Sequence, residues 1–306
     1  YEAARAHLVT VNFKSKIDAE EFGRLAKEDV TEAMLKTGYP RQARRVVINS
    51  ITMAMVSDCL HHIFEALKCF EKRKIVVGFN LLRKPLKQNL LYLAWMVGDE
   101  GEFFAEFMSG KPENLTQKKL GNRRQEIFAK AIAKMPVGAP FAPEVLEALI
   151  YSRNSTFGFE KLFEHAVHLI TVERIELRTE PKNFNFIFKN FSDDDSYDAL
   201  YRWLPYILLF VAHAMFVLFD RMRSMDKGTK TAFAVRSLFA YALMQGGQGG
   251  QLALKELNGM LHGVICGHCK AALNITLYNA GKILLADSFR CAKCRKVNPL
   301  PFSWAF

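Results

Sequence analysis

From about residue 17 to 245 the apolar residues return mostly every three or four positions, and strand-like alternation is scarce, so the pattern predicts a mainly α body. "SKIDAEEFGRLAKEDVTEAMLKTG" offers Ser15 and Asp18 as caps and stops at Gly38 with Pro40 behind it, which predicts a helix ending there. "RQARRVVINSITMAMVSDCLHHIFEALKCFEKRK" predicts a long helix, basic at both ends. Within "VVGFNLLRKPLKQNLLYLAWMV", Pro85 removes an amide donor and predicts a kink or a break.

"EVLEALIYSRNSTFGFEKLFEHAVHLI" continues the helical pattern, and "RIELRTEPKNFNFIFKNF" predicts short strands or an extended loop. "SDDDSY" then precedes a very apolar helix. Asp193, Asp194 and Asp195 offer oxygens to a divalent cation, but aspartates ahead of a helix also cap it and meet its dipole, which is the preferred reading. "WLPYILLFVAHAMFVLF", residues 203 to 219, holds 17 residues without a formal charge, with Arg221 and Arg223 after it. A membrane span needs about 20 apolar residues. This run is shorter, contains Pro205 and His213, and has no partner of similar hydrophobicity, so it is read as a helix buried within a bundle, with His213 a hydrogen-bonded core residue. A membrane-associated effector anchored here is the further alternative. "TKTAFAVRSLFAYALMQ" predicts one more amphipathic helix before "GGQGGQ", residues 246 to 251, which reads as a hinge. The expected organisation is a multi-helix bundle body at 1–245, a hinge at 246–262 and a small β module at 263–306.

Composition fits a packed chain, with 306 residues, 50% hydrophobic and 24% charged. A net charge of +11 favours polyanionic partners, nucleic acid or an anionic membrane surface. The densest basic stretch of the body, "LTQKKLGNRRQEIFAKAIAKM", carries Lys118, Lys119, Arg123, Arg124, Lys130 and Lys134. Several of these can share one side of a helix and meet phosphates, and a solvated helix face is the alternative. The chain begins at Tyr1 rather than methionine, and nothing at its start reads as a signal peptide, so secretion is not expected.

Four of the six cysteines form two Cys-x-x-Cys pairs, Cys266 with Cys269 and Cys291 with Cys294, 21 residues apart. Each pair supplies two thiolates from one tight turn, and two such turns complete a tetrahedral shell. The grouping suits a reducing cytoplasm and structural Zn²⁺, with a β-hairpin expected to join the two turns as in a zinc ribbon. His268 stands inside the first turn and is the alternative ligand, while iron or a redox pair are the alternative chemistries. A closed four-sulfur shell leaves no position for water, so the ion holds structure. Too short for a core of its own, the module is expected to draw most of its folding free energy from the metal. From residue 263 onward Lys270, Lys282, Arg290, Lys293, Arg295 and Lys296 stand against Asp287. Tyr278, Phe289, Phe302, Trp304 and Phe306 offer rings that can stack on unpaired bases or pack the module onto the body.

"ICGHCKAALN…FRCAKCRKVN", with Asn298 after the second turn, is similar to the Com-type zinc ribbons of Mu-like phages, RNA-binding translational regulators. The resemblance spans about 35 residues and implies binding of RNA or of a protein partner. In the body, "NLLRKPLKQNLLYLAWMV", "EKLFEHAVHLI" and "YRWLPYILLFVAHAMFVLFD" resemble HEPN-like helical proteins of bacterial abortive-infection and toxin systems, which implies a part in antiviral defence. Active members cleave RNA with an arginine that steadies phosphate charge and, after four to six intervening residues, a histidine that moves a proton. None of the eight histidines here has an arginine at that distance; Arg153 and Asn154 begin like the motif, but Gly158, Phe159 and Glu160 stand where the histidine belongs. His165 and His168 are the candidates to complete Arg153 if the fold gathers them.

No Walker-type loop, Gly-x-Ser-x-Gly elbow or His-Glu-x-x-His motif occurs, so no enzyme is assigned. The leading expectation is a cytoplasmic zinc-ribbon protein that binds nucleic acid, RNA favoured, through Lys118, Lys119, Arg123, Arg124, Lys270, Lys293, Arg295 and Lys296, with a protein partner or homo-oligomer as the other use of the same surface. The alternative is a metal-independent ribonuclease using Arg153 with His165 or His168.

Overall fold

The computed structural model describes residues 7–155, 158–168, 170, 179, 181 and 193–300. The chain is mainly helical, with one two-stranded antiparallel sheet among the described residues, near its C-terminal end. It divides into two compact units, Tyr1–Ser224 and Met225–Phe306. The boundary therefore falls ahead of the expected hinge, and "GGQGGQ" belongs to the second unit.

In the first unit the expected opening helix is two: α1 (Lys16–Leu25), capped by Ser15, and α2 (Val30–Lys36), capped by Asp29. Gly38 ends α2 at φ 86°, and α3 (Pro40–Glu71) runs through the long predicted helix. α4 (Ile75–Lys84) passes into a π-helical turn, Pro85–Asn89, and on into α5 (Leu90–Gly98). Pro85 thus opens a wider helical turn rather than breaking the helix, its carbonyl accepting from the Leu90 amide five residues on.

α5 is the centre of this unit. Leu90, Leu91, Leu93, Ala94, Trp95, Met96 and Val97 are all buried, the signature of a helix that is apolar on every side. It packs on α3, on α6 (Glu100–Met108), on α8 (Arg124–Ile132) and on α11 (Asp193–Met222). Each large apolar side chain fully buried there contributes about 1.5–3 kcal/mol. The carbonyls left over at the end of α5 are met by Arg221 of α11, which donates to Met96 O at 2.8 Å and Val97 O at 2.6 Å. α9 (Pro143–Tyr151) and α10 (Phe159–Val167) close the opposite side against α4 and α8.

Among the described residues two helices, α3 and α11, are long and apolar enough to cross a membrane by length and composition, with mean hydropathy reaching 1.2 and 1.8. α3 is thus the less apolar of the two. Half of the most apolar window of α11 is buried inside the unit. There His213 Nδ1 donates to Leu209 O at 2.8 Å beside the Phe141 ring, in the core role expected of it. Asp194 pairs with Arg73 at 3.0 Å, and no carboxylate cluster able to hold a metal stands here among the described residues. The short strands or extended loop expected at 174–191 lie outside the described residues except for Thr179 and Pro181.

Helices approach closely at Gly98. A Cβ there would lie 2.7 Å from Lys130 Cβ and 2.9 Å from the Ala131 amide of α8. Gly98→Ala is therefore expected to cost about 1–3 kcal/mol of stability by overpacking. Gly101→Ala, whose nearest neighbour is 3.7 Å away, is expected to be neutral or stabilising by up to about 1 kcal/mol; thermal melts of the two variants compare them directly.

Burial holds His213 below the ordinary histidine range. The unfolded chain takes up that proton near pH 6.5 and the folded core resists it, so stability is present above that pH and falls as the pH drops below it. Melting temperatures taken from pH 8 to pH 5 should decline less steeply in His213→Phe than in the parent.

Candidate metal centre

The second unit begins with α12 (Lys227–Gln245), capped by Asp226, and α13 (Gly247–Met260). Gly246 and Gly247, at φ 66° and 56°, make the turn between them. The expected hinge is thus mostly a helix, held because Ala253, Leu257 and Leu261 bury one stripe. Leu257, Leu261, Ile275, Ile283, Leu284 and Phe289 form a core backed by Val235 and Phe239 of α12. The module therefore does have a core, which it shares with α12 and α13.

The segment between the cysteine pairs is α14 (Leu277–Ala286), not the expected β-hairpin. Thr276 and Asn279 form a reciprocal capping box, and Ala280, Ile283 and Leu284 turn one face inward. At its other end Arg236 donates to Leu284 O at 2.6 Å and also binds the Asp287 carboxylate. Asn258 of α13 donates to Ile275 O and accepts from Ile275 N, both at 3.0 Å, tying the entry to α14. β1 (Ser288–Arg290) and β2 (Val297–Pro299) pair across the second cysteine turn, and a bridge from Ile265 to Ala272 brackets the first.

The two turns repeat one another bond for bond. Cys266 N donates to Ala271 O at 2.8 Å and Lys270 N to Cys266 O at 2.9 Å; Cys291 N donates to Lys296 O at 2.9 Å and Arg295 N to Cys291 O at 3.0 Å. Lys270 and Arg295 occupy matching positions, at φ 60° and 62°. Buried Asn298 joins the turns: its Oδ1 accepts from Gly267 N at 2.9 Å and its Nδ2 donates to Lys296 O at 3.1 Å.

The four sulfurs lie within 4.8 Å of one another, with Cys266 to Cys294 and Cys269 to Cys291 each at 3.5 Å. These are not disulfides, whose S–S bond is about 2.05 Å, and all six cysteines are free thiols. A tetrahedral ion with metal–sulfur bonds of about 2.3 Å needs sulfurs about 3.8 Å apart, so the donor set fits such an ion. Electrostatics prepare it. The amide of Cys269, helped by that of His268, draws the Cys266 thiol down to about 6, and the amides of Cys294 and Lys293 lower Cys291. Cys294 is pushed up to about 11, since desolvation and the other three sulfurs outweigh the Lys296 amide. His268 is exposed and not part of the cluster.

Beside this site α14 and the second turn enclose a groove of about 410 Å³, lined by Lys282, Arg290, Lys293, Arg295 and Tyr278. Tyr278 is 85% exposed, with Lys282 Nζ 5.6 Å from its ring centre. Of the cations expected to act here, Lys293 and Arg295 line the groove, while Lys270 turns to Gly267 O at 3.3 Å and Lys296 is exposed outside it. Lys282 and Arg290 are additions from the structure. Phe289 is buried in the core, and Phe302, Trp304 and Phe306 lie outside the described residues.

In the first unit the basic stretch is not one helix but α7 (Gln117–Leu120), a 3₁₀ turn at Gly121–Arg123, and α8. Lys118 and Lys119 are exposed. Arg123 is committed to Glu102 at 2.6 Å and lies over Trp95, whereas Arg124 stacks on Tyr151 at 3.9 Å. Arg153 lies 3.8 Å from Glu160 and His168 3.7 Å from Glu164, carboxylates one turn apart on α10; His165 is half-buried on the same helix.

Comparison with protein-family models, curated proteins and solved structures finds no match to this chain. The HEPN-like and Com-like resemblances therefore stand on the quoted residues alone.

Elemental analysis of the purified protein is expected to find one metal ion per chain, and none in Cys266→Ser/Cys291→Ser. Removal of the ion by a strong chelator should expose the amides of residues 264–300 to hydrogen exchange while those of α5 and α8 stay protected, because the first unit has its own core.

Proposed function

We propose that the second unit is a structural zinc module that presents a cationic groove to RNA. Four sulfurs in tetrahedral reach favour zinc over harder ions, and the closed shell gives the metal no substrate position. The observation that carries the reading is the groove itself: four cations and a ring exposed over 85% of its surface converge beside a metal-fixed turn. Cations there meet phosphates, and Tyr278 offers a face on which an unpaired base stacks. Free thiols throughout support a reducing compartment, the cytoplasm.

Anisotropy titrations of labelled single-stranded RNA are expected to give binding that weakens steeply with salt. Lys293→Glu/Arg295→Glu should lose about tenfold or more in affinity at moderate salt and show a shallower salt slope; Tyr278→Ala should lose about 1–3 kcal/mol of stacking. Equal binding by the parent and the double variant would remove the groove from consideration.

A second reading, metal-independent RNA cleavage, draws on the attachment of Arg153 and His168 to neighbouring turns of α10. Electrophoresis of the same RNA after incubation separates the two. Cleavage that survives chelation and disappears in Arg153→Ala and His168→Ala supports it, and intact RNA ends it.

A further inference from the structure

The first unit holds a second basic cleft, of about 380 Å³, that the zinc-module reading does not use. One wall is the end of α4 and the π turn, with Arg83, Lys84 and Lys87; the other is α7 and α8, with Gln117 and Arg124. No carboxylate lines it among the described residues. The π turn matters here, since a widened helical turn reorients side chains and recurs where ligands bind.

The charges do not balance. Lys84 has Asp58 at 2.8 Å, Lys87 and Arg153 share buried Glu160, and Arg83 reaches Glu164 only at 3.9 Å. Among the described residues, five cations, Arg124 included, thus share three carboxylates. Arg124 has no carboxylate partner among the described residues: its guanidinium stacks on Tyr151 and donates to Gln117 O at 3.5 Å. Arg83 Nε and Arg124 Nε are buried donors without an acceptor. Two poorly compensated, partly desolvated guanidinium groups facing two lysines create a positive potential focused by low-dielectric walls. A planar fork beside mobile ammonium groups matches the oxygens of a phosphate.

From these observations we infer that the cleft between the π turn and α8 binds a phosphate group, carried either by a free nucleotide or by an RNA backbone. The inference is independent of the zinc module, because every residue in it belongs to the first unit. Glu160 acts as the positioning residue: buried between Lys87 and Arg153, it fixes the lysine at the wall.

The metal-loaded full chain is titrated calorimetrically with inorganic phosphate and uridine monophosphate in one arm, and with a single-stranded RNA lacking terminal phosphates in the other. In the first arm, saturable binding of the monophosphate that falls about tenfold or more in Lys84→Gln/Arg124→Gln, and stays within about twofold in Lys293→Glu/Arg295→Glu, supports a free-nucleotide site. A loss of the same size for RNA alone, measured in the Lys293→Glu/Arg295→Glu background so that the groove is silent, supports a backbone site. Absence of saturable binding in both arms, or equal affinity in the cleft variant, overturns the inference. Should the cleft variant melt early, hydrogen exchange on the parent replaces it: protection of residues 80–88 and 117–124 by uridine monophosphate or by the RNA upholds the site, and unchanged exchange with both overturns it.

Discussion

Four sulfurs held within 4.8 Å of each other cannot all carry charge unless a cation sits among them. The backbone of the second unit is arranged around that constraint. Amide groups aimed at Cys266 and Cys291 favour their ionised forms, while desolvation and the neighbouring sulfurs hold the proton on Cys294 against the pull of the Lys296 amide. An ion held by these four sulfurs would resolve the conflict and tie the two turns together, and with them the cations that border the groove. Asn298 repeats the linkage in hydrogen bonds, so the turns are coupled by metal and by amide at once.

Much of the helical body was legible because its signals are local. Ser15 caps α1 as a serine before an acidic first turn should, and α3 follows an uninterrupted helical period. The cysteine cluster was legible for the same reason, its geometry being encoded in two short spacings. What failed was the interpretation of weak local signals that tertiary packing overrode. "NITLYNAGKILL" alternates well enough to pass for strand, yet Thr276 and Asn279 close a capping box and Ile283 and Leu284 find a core. "GGQGGQ" has the composition of a linker, yet all but its first residue lies in α13, whose stripe of Ala253, Leu257 and Leu261 has α12 and the module to pack against.

The basic cleft was not legible at all. Its walls come from residues 83–88 and 117–124, with Glu160 behind them, and no spacing along the chain connects these. Nor does a count of charges reveal it, since Arg123 and Arg124 are neighbours in sequence with opposite fates: one is neutralised by Glu102, the other left facing an aromatic ring. Only the three-dimensional pairing of acids with bases shows which cations remain available.

The backbone at Lys270 and Arg295 carries a tension between shape and charge. Both lie in the left-handed region, where a side chain costs about 1–2 kcal/mol relative to the residue without one. Glycine would relax each turn, and the chain instead bears two long cationic arms there. Glycine at Arg295 would ease its turn but take a cation from the groove, whereas at Lys270, whose ammonium turns back to Gly267 O, only the turn would change, so backbone ease and surface charge pull in opposite directions at one of the two matching residues.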